Sequence, residues 1–287
     1  LSIAAARAAL SAGVPFVVQP AGSLDPHQFR KNEAVKRTYL WTLGRPLLRR
    51  AAAFVFTSQQ ERDLAVYHPN CPAWIVPVGL DSASFRDLPP AGTFRRAFPA
   101  VRGPFLLFLA RLDPKKGLDL LIRAFAQIAR TRADLSLVVA GPDSRGYGGE
   151  MRRLAARLGI DDRVCFTGLL SHEMKLAAFT DAELFVLPSH AENFGAAITE
   201  ALACGVPVVI SNRVNIWREM AEAGVAIVVE CSIDAVRAGL ESALADGEFR
   251  RRVAALGPAR VRERFTWDAI VPGLIANYTS VAGRRPE

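Results

Sequence analysis

The chain of 287 residues is 51% hydrophobic, with a formal net charge of +8 and a pI near 9.8. It can bury a sizeable core, which excludes a disordered chain, and its positive balance favours an anionic partner: nucleic acid, a phosphate-bearing metabolite or an acidic lipid surface. Cys71, Cys165, Cys204 and Cys231 stand far apart, without a Cys-x-x-Cys pair or clustered His, which excludes a zinc or disulfide framework and fits reduced thiols in a cytoplasm.

The chain opens on LSIAAARAALSAG, with Arg7 in its middle and the strand-like VPFVVQ (14–19) directly behind it. That order argues against a cleaved signal peptide, and the missing initiator Met suggests that something upstream is absent. No apolar run approaches the ~18 residues of a spanning helix. FRKNEAVKRTYLWTLGRPLLRR (29–50) interleaves Arg and Lys with Leu, Tyr39 and Trp41. It reads either as a helix pair with a solvated basic face or as a surface for an anionic membrane carrying a lipid-linked acceptor. AAFVFTS (52–58) and WIVPVG (74–79) are further strands. Such a domain normally needs about five strands or more, so residues 1 to about 80 read as the back part of one. DLPPAGTF (87–94) reads as a linker.

From residue 105 short Val/Leu/Phe runs alternate with helical stretches, the mark of a parallel sheet covered by helices on both faces. FLLFLAR (105–111) is followed by the helical LDLLIRAFAQIAR (118–130). LSLVVAG (135–141), a helix near 149–158, VCFTG (164–168), a helix near 172–179 and ELFVLPS (183–189) come next. A helix starting near Gly195 precedes VPVVIS (206–211), and VAIVV (225–229) closes a complete doubly wound domain.

Ligands of open α/β sheets bind outside the carboxyl ends of the strands, where loops enter helix N-termini. After the strand at 105, Arg111 offers a planar fork for phosphate oxygens and Lys116 a mobile charge; two solvated basic residues flanking a turn fit the same sequence. After the strand at 183 comes HAENFGAAITEALACGVPVV (190–209). Glu192 falls in the loop, Asn193 is a reasonable helix cap, and Gly195 allows close backbone approach to an anion such as a diphosphate. Glu200 lies further along the helix, so two acids can flank a diphosphate, one meeting a ribose and the other a second sugar. Spacing alone decides nothing, because Glu222 and Glu230 share it without comparable surroundings. A buried crossover with incidental acids remains the other reading. The turn Gly168-Leu169-Leu170 could hold a base through its backbone or be a plain turn, and Gly141-Pro142-Asp143 reads by default as a turn without a ligand. No nucleic-acid-binding pattern appears.

The pairing of ARLDPKKG with FVLPSHAENFGAAITEALACGVPVV resembles the retaining GT-B glycosyltransferases of the glycosyltransferase group 1 type, often called family 4. NIWREMAEAG and RFTWDAIVPGLIANY extend the likeness to nearly the whole chain. The resemblance implies a GT-B-like α/β fold: a partial N-terminal domain with linker at 1–95, a Rossmann-like nucleotide-sugar domain at 96–264, and a helix at 265–287 crossing back to the first domain. It implies a nucleotide-diphosphate sugar as donor, a saccharide or lipid-linked acceptor, retention, and no cofactor or metal, in keeping with the lack of an Asp-x-Asp motif. Arg111 and Lys116 would hold the diphosphate and Glu200 the ribose. Glu192, the catalytic candidate, and the backbone after it would lie near the donor sugar. Asn193, Phe194, Gly195 and Leu169 complete the candidate donor site. A nucleotide-sugar epimerase of the same fold and a non-catalytic nucleotide-sugar-binding fragment are the alternatives. The chain departs from the family in lacking a Gly-rich acceptor loop and in reading Pro20-Ala21-Gly22-Ser23-Leu24-Asp25 where many relatives carry a His, a place that His27 does not fill. A truncated chain with weak or absent transfer activity and partly retained donor binding is therefore expected.

Overall fold

The computed structural model describes residues 3–29, 32–143 and 145–283; Arg30 and Lys31 of the basic stretch lie outside them. Contacts divide the chain into two compact units, Leu1–Gly79 with Trp267–Glu287, and Leu80–Thr266. The sequence reading put its linker at 87–94 and its last boundary at 265. Residues 80–95 instead belong with the second unit for identifiable reasons. Leu80 N donates to Phe265 O at 2.7 Å, and the buried Asp181 carboxylate accepts from Gly92 N at 2.5 Å and Arg95 N at 3.2 Å.

In the first unit β1 (Val17–Val18), β2 (Ala53–Phe56) and β3 (Ala73–Ile75) form a parallel sheet in that order. Phe54, Phe56, Leu48 and Tyr67 anchor its core, and Trp74 meets Tyr278 of the helix Trp267–Ala282 edge-on at 5.8 Å. The turn after β1 has Ala21 and Gly22 at positive φ (48° and 80°). The buried Glu61 carboxylate holds it, accepting from Gly22 N at 2.5 Å, Thr57 N at 2.6 Å and Thr57 Oγ1 at 2.8 Å. Three donors satisfy a carboxylate that burial alone would destabilise.

The second unit is a six-stranded parallel sheet of β4 (Phe105–Leu109), β5 (Ser136–Ala140), β6 (Val164–Gly168), β7 (Leu184–Leu187), β8 (Val208–Ser211) and β9 (Ala226–Val229). Its spatial order is β6-β5-β4-β7-β8-β9, all neighbours parallel. Helices cover both faces of such a sheet, so its inner strands are apolar throughout instead of alternating; Phe105 to Phe108 and Leu184 to Leu187 are all buried. The helix Leu118–Ile128 turns Leu118, Leu121, Ile122 and Phe125 inward at helical spacing. The chain enters at β4, runs outward through β5 and β6, then crosses back to lay β7 on the other side of β4. Strand order reverses there, and in open α/β sheets the crevice at that reversal is where ligands bind.

Candidate functional site

The loops that leave β4 and β7 meet at this reversal. The β4 loop runs through Arg111 to a short turn, Pro114–Lys116, whose cap Asp113 accepts from Lys115 N at 2.9 Å. Gly117 follows at φ 70°. A side chain there would overlap the Pro188 carbonyl oxygen at the end of β7, so glycine is needed for conformation and for space. His190 N donates to Lys115 O at 2.7 Å and closes the seam between the two loops.

The β7 loop is tied on its other side to the segment after β8. Glu192 N donates to Arg213 O at 3.1 Å and Asn215 N to Glu192 O at 2.9 Å. The Ser189 carbonyl accepts from Ser211 Oγ at 2.5 Å and from Cys231 Sγ at 3.3 Å. Backbone bonds on both sides thus fix where the Glu192 side chain begins. Its Oε2 forms an ion pair with Lys116 Nζ, both side chains largely buried at 14% and 16% exposure. Glu200 pairs with a different lysine, Lys175 Nζ to Oε1 at 2.7 Å. The two glutamates thus each engage their own cation.

Arg111 is exposed, and among the described residues its guanidinium has no hydrogen-bond or ion-pair partner. The helix Ala196–Ala203 follows the β7 loop, with Gly195 at φ 77° as its cap position and no side-chain cap there. This corrects the expectation that Asn193 occupies the cap position. The left-handed turn at Gly195 brings the chain into the helix two residues later, and Asn193 Oδ1 accepts from Asn215 Nδ2 at 3.4 Å. The first amides of a helix lack intrahelical acceptors and carry the positive end of its dipole.

Phe194 is a packing anchor. Its ring is buried and stands edge-on to Phe265 at 6.0 Å, leaving only backbone to face a ligand. Leu169 is 77% exposed just past edge strand β6, with β5 between that strand and β4. Gly141, at φ 138°, packs against the Ala110 carbonyl with no room for a side chain, and Asp143 Oδ2 accepts from Gly148 N at 2.9 Å, so that turn is occupied structurally. Lys175, Gly117 and Asn215 were not singled out from the sequence. The partner of Lys175 lies 25 residues away and that of Asn215 lies 22 away, and no local pattern announces either. Burial pushes the Cys204 thiol up to about 12, with the Glu200 carboxylate adding to the rise and Lys175 opposing it. Among the described residues no three His, Cys, Asp or Glu gather as metal ligands, and no helix is long and apolar enough to cross a membrane.

The family model described as glycosyl transferases group 1 matches residues 93–259, and that described as glycosyl transferase 4-like domain matches residues 1–79. The D-inositol 3-phosphate glycosyltransferase of Acidothermus cellulolyticus is 31% identical over 218 residues, 74% of this chain and 48% of that protein. The GDP-mannose-dependent alpha-(1-6)-phosphatidylinositol monomannoside mannosyltransferase of Mycolicibacterium smegmatis is 30% identical over 234 residues, 78% of this chain and 59% of that one. The chain spans about half the length of the curated relatives it matches. Among solved structures, Anabaena HepE in complex with UDP and glucose has a TM-score of 0.82 over 97% of this chain and 75% of that chain, at 22% identity, a likeness of fold.

Proposed function

The chain belongs to the glycosyl transferases group 1 family, and from that premise we propose that it binds a nucleoside diphosphate sugar and serves transfer of the sugar to an acceptor hydroxyl. One observation carries the reading. Lys116 and Glu192, 76 residues apart, meet where the β4 and β7 loops converge; the first loop also carries the unpartnered Arg111 and the second leads into the helix Ala196–Ala203. Lys116 engages Glu192, and a diphosphate offers it a more strongly charged partner. Arg111 and Lys116 then take the phosphate oxygens, the former in a two-toothed grip. The amides at the start of the helix Ala196–Ala203 add donors that need no reorganisation.

Bond breaking at the anomeric carbon leaves negative charge on the diphosphate, and these fixed positive groups lower the barrier by stabilising it. Glu192, released from Lys116, lies on the sugar side and serves as the catalytic residue by stabilising the developing positive charge and orienting the donor. Glu200 accepts the ribose hydroxyls. The acceptor attacks from the face that the diphosphate leaves, so configuration is retained, and no metal is required. The names of relatives that act with GDP-mannose or are seen with UDP and glucose support a nucleotide-sugar donor without choosing one.

The test is product analysis after incubation with UDP-, GDP- and ADP-sugars in the presence of candidate saccharide acceptors and EDTA. A transferred sugar with the donor's anomeric configuration supports the reading. An isomerised nucleotide sugar would assign an epimerase, and an inverted product or an absolute metal requirement would overturn retention or metal independence.

We propose in addition that the helical run from Glu33 to Leu48 rests on an anionic membrane, where a lipid-linked acceptor would reside. Val35, Tyr39, Trp41 and Leu43 are exposed along it, with Lys36, Arg37 and Arg45 interleaved, and Arg45 covers the Trp41 ring at 4.7 Å. Exposed apolar side chains among basic ones suit an interfacial helix. Flotation with acidic liposomes but not neutral ones is expected; binding indifferent to lipid charge would remove the idea.

A further inference from the structure

The helix His172–Asp181 carries the cation that Glu200 engages. Ser171 starts the helix, its hydroxyl accepting from Met174 N at 3.2 Å and its carbonyl from Lys175 N at 2.8 Å. The first turn therefore fixes the point from which the Lys175 side chain reaches across to Glu200 Oε1 at 2.7 Å. Both side chains are mostly withdrawn from water, at 22% and 17% exposure. A carboxylate in such a place that loses its cation turns toward solvent, because a mostly buried unpaired charge is costly. With the cation present, one oxygen is occupied and the rotamer is held. Glu200 Oε2 then has no partner among the described residues.

We propose that Lys175 is a positioning residue of the nucleotide site: it holds Glu200 so that the free oxygen accepts the sugar hydroxyls of a nucleoside diphosphate, and it thereby sets a preference for ribose over deoxyribose. The proposal rests on the reading of Glu200 as the ribose acceptor. The Cys204 thiol lies within the field of both groups: burial and Glu200 push it up and Lys175 opposes them. At 22% and 17% exposure the Lys175–Glu200 pair is screened less by salt than one at an open surface.

The experiment measures binding of UDP, GDP and ADP to the full chain. The tightest of these is then compared with its 2′,3′-dideoxy analogue in wild type and in Glu200→Ala, Lys175→Met and Lys175→Arg, each checked for native circular dichroism. In wild type the ribonucleotide should bind at least about tenfold more tightly, the scale of one hydrogen bond to a charged group. That ratio should fall to near one in Glu200→Ala and in Lys175→Met, and return in Lys175→Arg. A mere structural pair would lower stability without moving the ratio. If Glu200→Ala loses the preference and Lys175→Met keeps it, the Lys175 proposal fails while the Glu200 reading stands. If Glu200→Ala keeps the preference, or no nucleotide binds, both fail. Should Lys175→Met not fold, Lys175→Gln takes its place: a native variant that loses the preference supports the proposal, and one that keeps the wild-type ratio overturns it.

Discussion

Replacing Gly117 by Ala probes the junction on which the site depends. The residue lies at φ 70°, where an ordinary side chain is strained, and its added methyl would overlap the Pro188 carbonyl oxygen. Holding a non-glycine residue in the left-handed region costs about 1–2 kcal/mol. Forcing an extra carbon into a filled space costs about 1–3 kcal/mol more. The carbonyl is backbone at the end of β7, so relief requires moving the β4 loop away from the strand instead of rotating a side chain. A total loss of about 2–5 kcal/mol is expected, read by urea denaturation, with Tm falling by about 2–4 °C per kcal/mol in a unit of this size. Nucleotide binding should weaken as well, because Lys116 is the preceding residue. A Gly117→Ala protein within about 0.5 kcal/mol of wild type would refute the reasoning, since it would mean that the two loops do not abut as described.

Removing either member of the Lys116–Glu192 pair strands the other in a largely buried place, whereas removing both does not. Stability of Lys116→Met, Glu192→Gln and the double variant should therefore give a coupling of about 1–3 kcal/mol in a double-mutant cycle, and additivity would contradict the contact. Asp181→Ala should destabilise by about 2–4 kcal/mol, because it frees the amides of Gly92 and Arg95 together; a loss under about 0.5 kcal/mol in urea denaturation would show that the segment 92–95 is held otherwise. Burial raises the thiols of Cys71, Cys165, Cys204 and Cys231, in Cys204 to about 12. The unfolded chain gives up these protons above about pH 8.5 while the native one keeps them. Stability contributed by the buried thiols is thus whole below that pH and falls as pH rises toward 12. Melting from pH 7 to 10.5 should show the decline, smaller in Cys204→Ala; an unchanged profile in that variant would place the cause elsewhere.

The strands of the second unit were legible because burial on both faces leaves unbroken apolar runs that punctuation by Gly and Pro delimits. FLLFLAR and ELFVLPS became β4 and β7 nearly as bounded. Their adjacency followed from the sheet order, which the alternation of strands and helices alone does not give. Arg111, Lys116 and Glu192 could be nominated because each sits just past a strand end. The pairing of Lys116 with Glu192 could not, since it joins loops 76 residues apart. The Asn193 cap was misplaced because a glycine able to adopt positive φ took the turn, and the packing of the Phe194 ring against Phe265 joins residues too far apart in sequence for a local pattern to show. Lys175 escaped notice because a lysine in a helix's first turn is ordinarily solvated; only packing brings it to Glu200.

The central claim is that a diphosphate docks between the β4 and β7 loops with Arg111 as its principal grip. Isothermal titration of UDP, GDP and ADP into wild type and Arg111→Ala tests it most directly. At least one nucleotide should bind wild type with an affinity that falls as salt is raised, and should bind Arg111→Ala about ten- to a hundredfold more weakly. Equal affinity for the two proteins, or no binding of any of the three to wild type, would contradict the account.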